Sequence, residues 1–338
     1  MITANQDLFV GAETLNQYTD IAPLIECEVL DQAFLDHDKA AKRAKRQYHR
    51  LGTLSILLVA SSAIFTLAEA LVLPKSLTGI LPTLIAAAMA GVGIILQCYL
   101  IFTKQKTKWL THRFASERIR SLKFQAYQLV EQAQDIADLE RRTSKFVSKN
   151  FMKLNNEMNA GISVLKNFYP LKALDVQMHD QKPKNPTLVK QAMEAYQGLR
   201  IDYQRNFALS EVTKFRSRRR IFNSTQDMIY LGAAIFAFVS LGAKISGQFG
   251  LTINTGWIDF LAVTLFVLGA TEAIMDNATL EEQSQTRYEQ YARDIDVLEA
   301  EANRTQTSFS ERVIAMERIC LNELDHFCRA ADRISYRF

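Results

Sequence analysis

The chain has 338 residues, 48% of them hydrophobic, and its 40 basic and 36 acidic side chains leave a formal net charge of +4. This length allows two or three domains, and the composition excludes an intrinsically disordered chain. The mean hydropathy of −0.06 would suit a soluble protein, but it averages strongly charged segments with segments that carry almost no charge.

The N-terminal region predicts a helix that leads into an apolar segment. Residues 1–19 are weakly patterned, whereas residues 23–50 contain no internal helix breaker and follow Asp20, a candidate N-cap. We expect this helix to continue directly into the first apolar run. The first fifty residues carry both acids and bases, so we expect no cleavable signal peptide and an uncleaved anchor instead.

Four apolar runs dominate the sequence. Each has about 19 residues or more, and a helix needs ~20 apolar residues to cross a hydrocarbon core of ~30 Å. They are expected as transmembrane spans at about residues 51–73, 79–102, 228–246 and 257–275. The short connections 74–78 and 247–256 predict that the four spans form two hairpins.

Basic residues flank these runs on one side. They cluster before the first run, after the second and before the third, whereas the two short connections carry only Lys75. The positive-inside rule therefore predicts that both termini are cytoplasmic. A basic cluster can also bind nucleic acid, but beside an apolar run membrane orientation and contact with anionic lipid explain it better. We expect the lipid bilayer, and no nucleic acid, as a partner.

The segments between and after the hairpins predict long helices. No proline or glycine occurs between Phe102 and Gly161, so we expect one helix there, and another of about fifty residues at the C-terminus. Both contain apolar residues at alternating spacings of three and four, which is typical of a coiled-coil seam. The two seams are Ile119, Leu122, Ala126, Leu129, Ala133 and Ile136, and Tyr288, Tyr291, Ile295, Leu298, Ala302, Thr305 and Phe309.

Three of the six prolines fall within residues 170–186, which is the best domain boundary in the chain. The helical segment at residues 188–220 then feeds the third apolar run. Both halves therefore share one layout, a basic helix, a hairpin and a long helix. We expect an all-α membrane protein with a hairpin domain at 1–169, a linker at 170–186 and a second hairpin domain at 187–338, whose long cytoplasmic helices form coiled-coil-like bundles.

No catalytic motif is present. The sequence has no Walker lysine loop, HExxH or GxSxG pattern. Its five histidines are scattered on polar segments, where we expect solvated side chains. Its four cysteines show neither CxxC nor zinc spacing, so we expect unpaired thiols in a reducing compartment. We therefore expect a protein that is not an enzyme and has no catalytic residue, metal site or cofactor.

Polar residues inside the apolar runs have two interpretations. Glu69 and Glu272 are candidate pore-lining residues, with Gln97 as a neutral polar companion, because a charged side chain in hydrocarbon is costly and usually functional. They could instead reach an interface, as Lys244 and Asp259 could by pairing beside the second short connection. Small residues in the runs favour close helix packing, for which the candidates are Gly91, Gly93 and Gly232.

A juxtamembrane pattern follows the first hairpin. One helix face carries Trp109, Arg113 and Glu117, where Trp109 suits the lipid headgroup layer and Arg113 can pair with Glu117. Glu117 also belongs to the stretch Ser116-Glu117-Arg118-Ile119-Arg120. This pattern resembles the W…R…E-R-apolar-R signature of the SLATT superfamily, two-transmembrane effector domains that associate with nucleotidyltransferase and nucleotide-sensing modules in bacterial conflict systems. In the second half, Tyr196, Arg200, Ile201, Asp202, Gln204 and Asn206–Phe207 resemble the helix that precedes the hairpin in that superfamily.

The resemblance covers most of the chain as two tandem domains. It implies an effector in the bacterial inner membrane that oligomerises and forms a pore, or otherwise permeabilises that membrane, when a sensor or nucleotide-signal protein activates it. The alternative is a membrane-anchored helical scaffold or signalling subunit that does not conduct. A transporter is less well supported, since no broken helix suggests a binding site at the bilayer midplane.

Overall fold

The computed structural model describes residues 5–72, 80–159, 183–247, 255–279, 281–305 and 307–333, and every regular element in these ranges is helical. A π-helical segment, Gln197–Asp202, and two 3₁₀ segments, Thr19–Ile21 and Ala126–Gln132, accompany the α-helices. The α-helices are α1 Ala12–Gln17, α2 Ala22–Ile25, α3 Glu28–Leu71, α4 Ile80–Thr103, α5 Gln105–Gln125, α6 Ile136–Asn159, α7 Pro186–Tyr196, α8 Tyr203–Gly247, α9 Gly256–Thr279, α10 Glu281–Thr305 and α11 Phe309–Arg333.

Within the described ranges, four helices are long and apolar enough to cross a membrane. They are α3, α4, the Asp227–Ser246 part of α8 and the Gly256–Met275 part of α9. These positions agree with the four apolar runs of the sequence, and α3 confirms that the N-terminal helix continues into the first run. The expected start at residue 23 is wrong, because the extended residue Glu26 separates α2 from α3, and Asp20 lies within a 3₁₀ segment and is no N-cap. The short connections at 74–78 and 248–254 lie outside the described residues.

The chain divides into two compact units. The bundle unit contains residues 1–43, 108–215 and 282–333, and the apolar unit contains residues 44–107 and 216–281. Helices α3 and α8 each contribute residues to both units. Most of the predicted linker at 170–186 lies outside the described residues, so the tandem division stays a prediction.

The bundle unit has one main hydrophobic core. It draws buried residues from α2, α3, α5, α6, α7, α8, α10 and α11. Tyr196 lies at its centre, with ring centroids 5.4 Å from Tyr127, 6.0 Å from Phe124 and 5.8 Å from Phe309. Aromatic pairs at such distances add to the stability that burial provides.

The prediction of one continuous helix from Phe102 to Gly161 is wrong, because this region contains two breaks. Lys104 adopts a positive φ of 51°, which ends α4 before α5 begins. A 3₁₀ segment and the extended residue Ala133 then separate α5 from α6. Asp135 and Asp138 start α6, since Asp135 Oδ1 accepts from Asp138 N and Asp138 Oδ2 accepts from Gln134 N.

The prediction of a single C-terminal helix of about fifty residues is also wrong. It consists of α10 and α11, and a reciprocal capping box begins α11. Glu311 N donates to Ser308 Oγ at 3.2 Å, and Ser308 N donates to Glu311 Oε2 at 2.9 Å. The Ser-x-x-Glu pattern in the sequence is the signal that would have predicted this helix start.

These breaks change the role of the two predicted seams. Ile119, Leu122, Tyr291, Ile295 and Leu298 are all buried in the core of the bundle unit. Ile136, by contrast, is 43% exposed. The seam residues therefore stabilise the fold of one chain, and the described helices form a broken bundle in place of continuous coiled coils.

Candidate functional site

Residues of the juxtamembrane patterns meet in one buried polar network of the bundle unit. Arg113 and Glu117 come from α5, Arg200 lies in the π-helical segment, and Gln204 belongs to α8. Each takes part in ion pairs or hydrogen bonds that link it with the others through a few acidic residues. The structure thus brings together side chains that the two halves of the sequence contribute separately.

The pair of Arg200 with Glu317 is the most buried part of this network. Arg200 Nε and Nη2 donate to the two carboxylate oxygens of Glu317 at 2.7 and 2.8 Å. The side chains are only 2% and 0% exposed. Such bidentate, charge-assisted geometry is the arrangement in which a buried arginine is best compensated. The Arg200 guanidinium also lies 4.5 Å from the ring centre of Phe124.

The π-helical segment Gln197–Asp202 carries Arg200. A π-helical turn is rare and occurs frequently at functional sites, because it changes the direction in which side chains leave a helix. The turn lies between α7, which holds Tyr196, and α8, which holds Gln204, and both of these residues belong to the network. No pattern in the sequence signals this turn.

Hydrogen bonds extend the network to α10 and α11. Tyr196 Oη donates to Glu317 Oε1 at 3.3 Å, and Tyr291 Oη donates to Gln204 Oε1 at 3.2 Å. The Tyr291 hydroxyl is also 3.2 Å from the Cys320 sulfur. Burial raises the pKa of the Cys320 thiol to about 12, so this cysteine is protonated and a poor nucleophile at neutral pH.

Helix α5 contributes a second group of ion pairs to the network. Arg113 pairs with Glu117 at 2.9 Å, and Glu117 pairs with Arg120 at 3.4 Å. Burial alone would raise the pKa of Glu117, but Arg113, Arg120 and Arg200 outweigh it and lower the pKa. Glu117 is therefore held as a carboxylate between arginines.

An acidic residue near the N-terminus completes the network. The side chain of Asp7 is 0% exposed, and its Oδ2 lies 3.6 Å from Arg120 Nε and 3.7 Å from Arg200 Nη1. Gln204 Nε2 donates to the same oxygen at 3.2 Å. Sequence reasoning missed Asp7, because residues 1–19 carry little pattern.

Trp109 is buried in the same unit. It is 4% exposed, and its ring lies edge-on to Phe327 of α11 at 5.9 Å. The Phe327 ring also lies 4.8 Å from the guanidinium of Arg287, which pairs with Glu323 at 3.2 Å. Trp109 therefore packs within the protein, whereas the sequence suggested the lipid headgroup layer.

The network is electrically balanced. It contains four arginines (Arg113, Arg120, Arg200 and Arg287) and four carboxylates (Asp7, Glu117, Glu317 and Glu323), whose formal charges cancel. Charges buried in this way require their partners, because removing one leaves the other without compensation. The arrangement can hold the helices in one register and respond to a change in charge.

The candidate pore-lining residues have different surroundings. Glu69 accepts a hydrogen bond from Thr83 Oγ1 on α4 at 3.0 Å. Gln97 Nε2 is buried and has no hydrogen-bond partner among the described residues. Glu272, on α9, is partly buried. The three residues lie on α3, α4 and α9, and their common role stays a prediction.

Lys244 and Asp259 form an ion pair. Lys244 Nζ lies 3.0 Å from Asp259 Oδ1, and Ser240 donates to the same carboxylate. Ser240 and Lys244 lie on α8 and Asp259 lies on α9. This geometry agrees with the pairing alternative that the sequence left open.

The glycines of the apolar unit differ in packing. At Gly93 an added Cβ would lie 2.7 Å from Val59 Cγ2 and 3.0 Å from the carbonyl oxygen of Ser55, so α3 and α4 approach closely there. A Cβ added at Gly232 would lie 3.2 Å from the Leu265 side chain, whereas a Cβ added at Gly91 would meet no atom of a neighbouring helix within 4 Å among the described residues. At Gly269, which the sequence did not single out, an added Cβ would lie 2.8 Å from the Tyr230 ring.

Two histidines meet in the bundle unit. The Nδ1 atoms of His37 on α3 and His112 on α5 are 3.0 Å apart, so one imidazole donates and the other accepts. Burial lowers the pKa of both, His112 contributes further to the shift at His37, and Lys108 to that at His112. The sequence predicted solvated histidines because they lie on polar segments, and it gave no sign of a contact between residues 75 positions apart.

Within the described ranges, no group of three or more His, Cys, Asp or Glu side chains is placed to hold a metal ion. The described cysteines Cys27, Cys98, Cys320 and Cys328 are free thiols.

Comparison with known proteins gives one family match. Residues 33–133 match the model of a family described as a protein of unknown function (DUF4231). This region contains α4, α5 and most of α3, and therefore Trp109, Arg113 and Glu117. No curated protein and no solved structure matches the chain. The region from α3 to the break after α5 is thus similar to an uncharacterised family, and the SLATT resemblance stays a prediction.

Proposed function

We propose that the protein is a multi-pass effector of the bacterial inner membrane, with both termini cytoplasmic, that oligomerises and permeabilises the membrane when a partner sensor activates it. Exposed apolar surface supports membrane insertion. Between 11% and 28% of the residues in the most apolar window of each candidate span are buried within the chain. Lipid or other copies of the chain would cover the remaining surface.

One observation carries the effector proposal. Helices α3 and α8 are uninterrupted over 44 and 45 residues, and each begins in the bundle unit and continues as an apolar segment. Gln204 in the buried network lies on α8 itself. A change in the network would therefore act directly on α8, a helix that also forms a candidate span, which is the physical requirement for a switch.

Gln97 is the best candidate for a residue that acts between copies. An unsatisfied buried amide is costly in an apolar environment. Because the Gln97 side chain is partly exposed, rotation of its amide toward the surface of α4 would let a second copy provide the partner. Repetition of Gln97 around an oligomer would give a polar ring, with Glu69 and Glu272 as further candidates.

Induced expression in bacteria that carry a membrane-potential dye tests this proposal. We expect wild-type protein to depolarise the cells, Gln97→Leu or the double change Glu69→Ala with Glu272→Ala to reduce the effect, and Gly91→Ala to preserve it. Gly91→Ala is the matched control on α4, because its Cβ meets no described atom. An unchanged potential, with the protein abundant in the membrane fraction, would contradict the pore.

A membrane-anchored scaffold is the second candidate. It is favoured by the contacts of Glu69 with Thr83 and of Lys244 with Asp259, which satisfy polar groups inside one chain. In that case the dye signal would stay constant, while the bundle unit would still retain a partner after mild detergent extraction. Alkaline phosphatase fusions at residues 76 and 251 would test the topology in either case, since we expect both sites to be periplasmic.

A further inference from the structure

We propose that Arg120, Arg200 and Gln204 form a binding site for a soluble phosphate-class oxyanion, and that Asp7 occupies this site in place of the ligand. The three donors belong to α5, the π-helical segment and α8. They converge on one carboxylate oxygen of Asp7. This inference concerns the bundle unit alone and does not depend on conduction by the membrane part.

Asp7 fills the site incompletely. Its Oδ2 lies 3.6 and 3.7 Å from the two guanidinium groups, beyond the usual range of a hydrogen bond. Its Oδ1 is buried without a hydrogen-bond partner among the described residues, and Arg120 Nε is likewise buried without one. A tetrahedral oxyanion presents more oxygens and could accept from both guanidinium groups and the amide together.

The charge balance indicates what the ligand must replace. Without Asp7, the connected part of the network contains three arginines (Arg113, Arg120 and Arg200) and two carboxylates (Glu117 and Glu317). One buried positive charge would then be uncompensated, and burial makes such a charge costly. A phosphodiester or singly protonated phosphate carries the single negative charge that restores the balance.

The residues around Asp7 attach the N-terminal segment to α5 and α8. Leu8 is 3% exposed, and its carbonyl oxygen accepts from Lys123 Nζ at 3.1 Å. Asn5 N donates to the Tyr203 hydroxyl at 2.9 Å, while Asn5 Oδ1 accepts from Arg120. Residues 5–8 are thus held by contacts with α5 and α8 and by burial of Leu8 in the core, and a ligand that displaces Asp7 would release them.

Anion binding by the full chain in detergent tests the site. Isothermal titration with dimethyl phosphate and with inorganic phosphate, against sodium chloride at equal ionic strength, should give at least tenfold tighter binding for Asp7→Ala than for wild type. Glu13→Ala is the matched control, since Glu13 is an exposed acid of the same N-terminal region. The double change Asp7→Ala with Arg120→Gln should lose the binding.

A second measurement uses the wild-type chain and so does not depend on the folding of any variant. Hydrogen exchange at residues 5–8 should accelerate in phosphate relative to chloride, because the ligand competes with Asp7. Equal binding by Asp7→Ala and wild type, together with unchanged exchange, would overturn the proposal and leave Asp7 a structural partner only. A response to phosphatidylglycerol nanodiscs alone would overturn the assignment to a soluble ligand.

Discussion

Glu317→Gln measures how much the buried network contributes to the stability of the bundle unit. The change keeps the shape of the side chain but removes the charge that Arg200 contacts at 2.7 and 2.8 Å. Both side chains are at most 2% exposed, so solvent cannot replace the lost partner. Breaking such a pair leaves a buried charge without compensation, and we expect the free energy of unfolding to fall by ~3–5 kcal/mol.

Asp325→Asn is the matched control on the same helix. Asp325 pairs with Arg329 at 2.9 Å with i, i+4 spacing, and the Arg329 side chain is 63% exposed. An exposed pair of this kind contributes about 0.3–0.5 kcal/mol. Both changes remove one carboxylate from α11 and leave an amide of the same size, so burial is the main difference between them.

Fluorescence of Trp109 provides the assay. Trp109 is buried against Phe327 in the bundle unit, and Trp257→Phe removes the only other tryptophan. At about 2–4 °C per kcal/mol, Glu317→Gln should lower Tm by ~6–20 °C, and Asp325→Asn by less than ~2 °C. Equal shifts for the two variants would refute the argument from burial. Replacing the pair by Arg200→Met with Glu317→Leu should restore much of the loss.

Three further predictions test individual contacts. Gly93→Ala should destabilise the apolar unit by ~1–3 kcal/mol in denaturation by dodecyl sulfate, because the new Cβ meets Val59 and a backbone oxygen. Gly91→Ala should leave the stability unchanged. Equal effects of the two changes would contradict the close approach of α3 and α4. Lowering the pH from 7.5 to 5.5 should reduce the Tm of the bundle unit, because burial lowers the pKa of His37 and His112 and the unfolded state therefore binds more protons than the folded state. His112→Gln should reduce the dependence of Tm on pH. If the dependence is unaltered, the histidine pair is not its cause. Ser308→Ala should cost ~1 kcal/mol through loss of the α11 cap and Ser308→Asp should recover it, as measured by thermal unfolding; no loss in Ser308→Ala would show that the cap is dispensable.

The helix ends show which breaks a short sequence motif can predict and which it cannot. The Ser308 and Glu311 capping box is visible in the sequence and was available to predict the break before α11. Asp135 and Asp138 gave a similar signal before α6. Lys104 gave none, since lysine has no preference for the positive φ that it adopts between α4 and α5.

The network lay beyond sequence reasoning for a different reason. The juxtamembrane pattern identified Arg200 and Glu117 as residues of interest but could not identify their partners. Arg200 and Glu317 are 117 positions apart, and Asp7 lies in a segment with no helical pattern. Partner choice between distant charges depends on which helices pack together, and the spacing of residues along one helix carries no information about this.

The sequence by itself determined that the protein is helical and where its four apolar helices lie, because hydropathy and the absence of breakers act over neighbouring residues. Only the tertiary structure decided that the seam residues would be buried inside one chain and that Asp7 would reach Arg120 and Arg200. Burial makes the difference, since the free energy of a charge depends on the partners that folding brings to it.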